Sequence, residues 1–267
     1  MHLRVTFFPK EKILEVIEFL SPQNVVGFLL LFFRFAGLFI MVPLFSHMSI
    51  PMTIKTSIAF VFAVLFYAVM PPLTMQVTTL NIVLAILSEF LFGFTIGLML
   101  QLVMNIMTFA GIQISFIMGF SMASVVDPQS GVSMPIISNV LALLSLMIFL
   151  ALNGHHAVLL FMNDSLQEIP LGGFMLNEGI FNYIVKATMN MFMVGFMVAF
   201  PITALSLLAD VIFGMLMKTM PQFNLLVIGF PIKIMVAFVV LISTVATFMK
   251  IFEREMSSAL NSLSILF

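Results

Sequence analysis

The chain has 267 residues, of which 62% are hydrophobic and only 8% are charged, and its mean hydropathy is +1.24. Soluble domains carry roughly 25% charged residues, so the composition excludes a water-soluble globular protein and predicts one embedded in membrane lipid. A formal net charge of -1 with scattered Lys and Arg gives no basic stripe for nucleic acid, and the lack of cysteine excludes disulfides, thiolate zinc sites and thiol nucleophiles. No linker rich in Ser, Gly or charge divides the chain, which predicts a single domain over residues 1–267.

Residues 1–24 precede the first apolar stretch and are predicted to form an amphipathic segment. Its acidic residues recur at three to four positions and lie opposite apolar ones: Glu11, Glu15 and Glu18 against Ile13, Leu14, Ile17 and Leu20. This spacing indicates a short helix on the membrane interface, with a solvated leader as the alternative. No small-x-small cleavage pattern follows, so we expect no cleaved signal peptide.

Six apolar stretches, each bounded by Pro, Gly or polar clusters, are long enough to form membrane helices. They are residues 25–42, 54–70, 82–120, 136–152, 188–217 and 225–249. The pattern predicts an all-α fold, a membrane-associated bundle of about six hydrophobic helical segments. As one helix, the stretch 82–120 would be about 58 Å long, roughly twice the hydrocarbon thickness, so it must bend, pair with itself or protrude.

Small and polar side chains follow one face of the predicted helix over 82–120, and we call them the small-residue stripe. They recur every three or four residues: Glu89, Gly93, Gly97, Gln101, Asn105, Thr108, Gly111, Ser115 and Gly119. Such a face favours close helix–helix packing, with a pore lining as the alternative. Both interpretations place the stripe inside protein.

Ionisable residues inside apolar stretches are costly, so they either line a pathway or pair, and this chain has Arg34, Glu89, Asp210 and Lys233. Asp210 and Lys233 lie at nearly equal distances along the chain on either side of Pro221, the centre of a predicted turn. An antiparallel hairpin would bring them to one depth, and we predict an ion pair between them. Pairing of each with another subunit is the alternative.

No catalytic, cofactor or metal site is predicted. His155 and His156 are adjacent, so they point to different faces of a helix, and no HExxH-like spacing accompanies them. Asn153-Gly154 before them indicates a helix end. No GxSxG, P-loop or GxGxxG motif stands in a strand–helix context, and we therefore expect a protein that is not an enzyme.

The order of motifs along nearly the whole chain resembles the FliR/SctT family of type III export-gate proteins. The motifs are Arg34-Phe35-Ala36-Gly37, Val42-Pro43-Leu44-Phe45-Ser46, Ile50-Pro51, the segment from Gly111 to Gly119, Asp127-Pro128, Met134-Pro135, Asn153-Gly154-His155-His156, Ser165 with Ile169-Pro170, Pro201, Pro221-Gln222 and Gly229-Phe230-Pro231. Each motif alone is weak, whereas the ordered set is specific.

The resemblance implies a component of the flagellar export gate in the bacterial inner (cytoplasmic) membrane, within the flagellar basal body. It implies assembly with FliP-type and FliQ-type subunits, contact with an FlhB-type protein, passage of unfolded flagellar polypeptides, and no cofactor or substrate chemistry. It further implies a FliP-like part over 25–187 and a FliQ-like helical hairpin with a carboxyl-terminal tail over 188–267. We favour flagellar over virulence-type secretion, although the two branches share this pattern.

The segment 116–135 is a candidate plug loop. Its Asp127-Pro128 and Met134-Pro135 break regular helix, and so apolar a loop belongs inside an assembly rather than against lipid. The unbranched and aromatic side chains of Met118, Phe120 and Met122 could seal a channel by dewetting. Gly119 and Gly131 would give the backbone freedom to move, and Asp127-Pro128 would act as the hinge. An ordinary buried turn is the alternative, but the resemblance implies a plug within the export channel.

Two other functions compete with an export gate. The four intramembrane ionisable residues could coordinate an ion or substrate in a secondary transporter, although no inverted internal repeat is evident. The chain could also be a passive scaffold that only anchors partner subunits.

Overall fold

The computed structural model of the chain describes residues 21–45, 50–73, 75, 78–119, 136–220 and 225–266. Most of the amphipathic segment predicted over 1–24 lies outside these residues. So do Pro221 and the part of the predicted plug loop that follows Gly119.

The described residues form seven α-helices: α1 (Pro22–Met41), α2 (Met52–Tyr67), α3 (Thr79–Met118), α4 (Ile136–Ala151), α5 (Gly154–Glu168), α6 (Glu178–Thr219) and α7 (Phe230–Leu266). A π-helical turn, Leu225–Gly229, leads into α7. The ranges that the structure describes contain no β-strand. The prediction of an all-α fold is confirmed.

Four helices are long and apolar enough to cross a membrane, namely α1, α3, α6 and, over Val227–Leu263, the π-turn with α7. Helices α4 and α5 meet at a bend and would together make a fifth span, whereas α2 is apolar but shorter. Helix α3 runs unbroken for 40 residues, about 60 Å, so it neither breaks nor pairs with itself. The predicted membrane helical bundle is confirmed.

Local sequence sets where these helices begin and end. The hydroxyl of Ser21 accepts a hydrogen bond from the Asn24 amide at 3.4 Å, and a proline occupies the first helical position of α1. Helix α4 ends at Ala151 and α5 begins at Gly154, with Asn153 between them in the left-handed region at φ 54°. The helix end predicted at Asn153-Gly154 is confirmed.

The chain folds into two compact units that interleave along the sequence. The first unit is built from Met1–Leu98 and Leu159–Asn177, and the second from Met99–Val158 and Glu178–Leu266. The division between α3 residues 98 and 99 falls inside a continuous helix. The functional division into a FliP-like part over 25–187 and a FliQ-like part over 188–267 stays a prediction.

Aromatic and aliphatic side chains form the core of the first unit, where α1 packs against α2. Phe35 is fully buried, with ring centroids 4.9 Å from Phe66, 5.8 Å from Phe62 and 6.2 Å from Phe39. A second group of buried residues joins α1 and α2 to α3, α5 and the loop after α5: Val26, Leu30, Leu31, Ala63, Ala85, Leu166 and Leu171.

The second unit is organised around the hairpin of α6 and α7. These two helices contact each other, and α7 also packs against α4. Phe109 of α3 lies edge-on to Phe192 and Phe196 of α6, with centroids 5.1 and 5.0 Å away. Gly195 between them has no side chain, and a Cβ there would lie 2.6 Å from the Phe109 ring. The hairpin is therefore anchored on the second half of α3.

Candidate functional site

A bidentate ion pair lies at the centre of the first unit, between Arg34 of α1 and Glu89 of α3. Both side chains are fully buried. The Arg34 Nε donates to Glu89 Oε2, and Nη2 donates to Glu89 Oε1 at 3.1 Å. The guanidinium carbon also lies 4.5 Å from the centre of the Phe92 ring. Two charges in an apolar interior thus neutralise each other across a helix interface.

The remaining hydrogen-bonding groups of this pair fix the end of α5 and the loop that follows. Arg34 Nη1 donates to the hydroxyl of Ser165 at 3.2 Å and to its carbonyl at 3.3 Å, and Nη2 donates to the Ile169 carbonyl at 3.4 Å. The Gly172 amide donates to Glu89 Oε1 at 2.6 Å. The Ser165 carbonyl also accepts from the Ile169 amide at 3.0 Å, so Arg34 adds a second donor there and supplies a donor to the Ile169 carbonyl just beyond the end of α5.

Gly172 suits this contact through its backbone conformation. Its φ is +81°, in the left-handed region that favours glycine, and a Cβ there would lie 2.9 Å from the Cβ of Ala85. The pair thus holds together α1, α3, α5 and the loop after α5. The partnership of Arg34 with Glu89 was not predicted from the sequence, which indicated only that each charge must pair or line a pathway.

The first part of the small-residue stripe packs against α1. A Cβ on Gly93 would lie 2.7 Å from the Leu38 amide nitrogen, and one on Gly97 would lie 2.7 Å from the Cβ of Met41. The facing position on α1 is also a glycine, Gly37, and a Cβ there would lie 2.9 Å from the Phe94 amide nitrogen. At these positions the two backbones are in contact, as in small-residue helix seams of membrane proteins.

The second part of the stripe contacts α4. The Ser138 hydroxyl donates to the Thr108 carbonyl at 2.9 Å, and a Cβ on Gly111 would lie 2.8 Å from the Ser138 amide nitrogen. Gln101 donates to the Asn105 side chain at 3.1 Å one turn along α3.

Two stripe residues keep a buried polar atom for which the described residues offer no hydrogen-bond partner: the Gln101 Oε1 and the Ser115 hydroxyl. Both lie on α3 in the second unit. A buried polar atom without a partner is costly.

A second ion pair joins the two helices of the hairpin. Lys233 Nζ donates to both carboxylate oxygens of Asp210 at 2.8 Å. The Lys233 side chain is 6% exposed and that of Asp210 is 48% exposed, so the ammonium is buried while the carboxylate still reaches the surface of the chain. The structure brings together the two residues whose spacing about Pro221 predicted a pair.

Of the plug loop predicted over 116–135, the structure describes residues 116–119, and it places 116–118 in helix α3 rather than in a loop. Met118 is fully buried at the last position of α3. Gly119 follows with φ +90°, and a Cβ there would lie 3.1 Å from the Phe230 ring of α7. The other predicted plug residues lie outside the described residues: Phe120, Met122, Asp127, Pro128, Met134 and Pro135. Their sealing role stays a prediction.

The two adjacent histidines contact each other. The rings of His155 and His156 are 4.3 Å apart, at the beginning of α5. Within the described ranges, no three His, Asp or Glu side chains are grouped as a metal ion would require.

Comparison with known proteins agrees with these motifs. The family described as Bacterial export proteins, family 1, matches residues 25–259. The chain is 34% identical over 220 residues to the flagellar biosynthetic protein FliR of Bacillus subtilis (strain 168), covering 81% of this chain and 85% of that protein. It is 30% identical over 194 residues to the Escherichia coli (strain K12) protein of the same name, covering 73% and 74%. With the Aquifex aeolicus (strain VF5) protein of that name it shares 27% identity over 228 residues, covering 83% and 86%. The resemblance to FliR-type proteins is confirmed, and the chain belongs to the bacterial export proteins of family 1.

Proposed function

We propose that the chain is a component of the flagellar type III protein export gate in the bacterial inner membrane. With FliP-type and FliQ-type subunits it forms the channel through which unfolded flagellar polypeptides leave the cytoplasm, and it contacts an FlhB-type protein. Its role is structural and gating, without catalysis. Two findings support the proposal. Residues 25–259 match a family of bacterial export proteins, and the relatives of this chain are named flagellar biosynthetic protein FliR.

The surface of the hairpin supports an assembly with other apolar chains. Along α6, large apolar side chains are exposed at Met189, Phe192, Met193, Phe196, Met197 and Phe200. In an apolar stretch of 18 residues within Val227–Leu263, only 22% of the residues are buried within this chain. Lipid or partner helices must cover such a surface, because water cannot be its solvent.

The gating part of the proposal rests on the end of α3. Helix α3 stops at Met118 and the chain turns at Gly119, beside Phe230 of α7. The apolar segment 116–135 then contributes a plug that keeps the channel closed to ions and yields to an exported chain.

The secondary-transporter alternative finds less support in the same residues. Arg34 and Glu89 bind each other, the carboxyl-terminal end of α5 and the loop after it, and Asp210 and Lys233 bind each other. A transport site needs charged groups with open ligand positions, whereas these four are engaged in structural contacts.

The test is affinity purification of the full-length chain from membranes of its own host, with motility of a deletion strain measured in parallel. We expect FliP-type and FliQ-type chains to co-purify, and the deletion strain to lack external filaments until the gene is restored. A folded chain that purifies alone and drives solute uptake in liposomes would support the transporter instead.

A further inference from the structure

A cavity of about 210 Å³ lies within the second unit, between α3, α6 and α7. Its wall on α3 is apolar, whereas α6 and α7 give it hydroxyl, amide and charged groups. The polar lining residues are Tyr183, Lys186, Asn190, Glu255, Ser258 and Ser262.

The cavity has two opposite charges that do not pair with each other. The side-chain Nδ2 of Asn190 donates to Glu255 Oε2 at 2.7 Å, which fixes the carboxylate. The other carboxylate oxygen, Oε1, has no partner among the described residues. Over the same part of the chain, Lys186 forms no hydrogen bond or ion pair. A ligand that carries an anionic group and an ammonium group can therefore engage both charges at once.

The cavity lies where both hairpin helices change from apolar to charged. Lys186 is the last charged residue of α6 before Asp210, and α7 has no charged residue between Lys233 and Lys250. At 1.5 Å per residue, the uncharged stretches 187–209 and 234–249 are about 35 and 24 Å long, which brackets the roughly 30 Å hydrocarbon thickness. The cavity therefore lies at the depth of lipid headgroups.

The face of α6 that lines the cavity continues as an apolar surface. Met193 and Met197 lie three and seven residues beyond Asn190, so they share its face, and both are exposed. Acyl chains of a lipid whose headgroup occupies the cavity would lie along these side chains.

We propose that this cavity binds the phosphoethanolamine headgroup of a membrane lipid. The phosphate accepts from Lys186, and the primary ammonium donates to Glu255 Oε1 and to the hydroxyls of Ser258 and Ser262. A trimethylated ammonium carries the positive charge but has no N–H to donate, and phosphoglycerol has no cation, so neither can make the hydrogen bonds to both Lys186 and Glu255. This site does not depend on the export role proposed above.

The test is native mass spectrometry of the full-length protein with added lipids of matched acyl chains. Phosphatidylethanolamine should be retained about tenfold more than phosphatidylcholine or phosphatidylglycerol, a difference that one charge-assisted hydrogen bond can supply. Lys186→Gln and Glu255→Gln should each lower this retention by about tenfold. Lys250→Gln and Glu253→Gln are matched controls, because both residues are exposed and outside the cavity lining.

A third variant and a soluble probe complete the design. Ala187→Leu fills the cavity without changing its charges and should also lower retention, while far-UV circular dichroism checks that each variant keeps its helices. Displacement of the lipid by free phosphoethanolamine supports recognition of the headgroup itself. Equal retention of phosphatidylethanolamine and phosphatidylglycerol, or unchanged retention in Lys186→Gln and Glu255→Gln, overturns the proposal. Binding of free phosphoethanolamine but not of the lipid overturns a lipid source.

Discussion

Removal of one partner of the Arg34–Glu89 pair should destabilise the first unit severely. Both side chains are fully buried, so Glu89→Met leaves the Arg34 guanidinium charged without a counter-ion, at a cost of about 3–5 kcal/mol. Arg34→Met should cost a similar amount. Because whole proteins are stable by about 5–15 kcal/mol, either variant removes a large part of the total.

The double variant Arg34→Met/Glu89→Met should be less damaging than the sum of the single variants. It leaves no unpaired charge, but the Gly172 amide loses its acceptor, and one buried unsatisfied donor costs about 1–3 kcal/mol. We therefore expect a non-additivity of at least about 2 kcal/mol.

The measurement is unfolding of the purified protein in mixed detergent with increasing SDS, followed by far-UV circular dichroism. Helicity is the suitable signal because the chain has no Trp and two Tyr. Glu253→Met is the control, since Glu253 is exposed and surface substitutions usually stay within about 0.5 kcal/mol. Single variants that match this control, or whose effects simply add up, would refute the coupling.

Three further predictions concern the second unit. Asp210→Leu should reduce assembly with partner chains more than Lys233→Met, because Asp210→Leu leaves a buried ammonium unpaired whereas Lys233→Met leaves a half-exposed carboxylate. Co-purification yields measure this difference, and equal losses would contradict the prediction. Gly111→Ala should destabilise the unit, since the added methyl meets the α4 backbone, while Gly214→Ala should be neutral or stabilising by up to about 1 kcal/mol; detergent unfolding compares them, and similar effects would argue against the seam. Deletion of residues 118–122 should make the membrane leak small ions while flagellar export continues, as ion-flux and secretion assays would record; a tight membrane would leave only a scaffold role.

The helical class of the chain could be predicted from its apolar stretches, but the helix bounds depend on residues that such stretches exclude. Helix α6 begins at Glu178, well before the predicted start of 188, and the acidic Glu178 in its first turn suits a helix N-terminus. Helix α5 was not predicted, since polar residues such as Asp164 and Glu168 interrupt its apolar pattern. Hydropathy finds segments that are buried in lipid or protein, and it misses helices or helix ends that carry charged and polar residues.

The two ion pairs differ in how far the sequence reveals them. Asp210 and Lys233 flank one turn, so the simple geometry of a hairpin places them together. Arg34 and Glu89 are 55 residues apart with helix α2 between them, and Ser165 is 131 residues from Arg34. No local symmetry relates these positions, and only the packing of three helices brings them into contact.

The Arg34–Glu89 pair also constrains the order of events during biosynthesis. The cation is made first, and its counter-ion follows 55 residues later, which at 5–20 residues per second is about 3–11 s. For that interval α1 holds a charge that the bilayer core disfavours. We therefore expect helix α1 to reach its final depth only once α3 has been made, so that the two helices insert as a coupled unit.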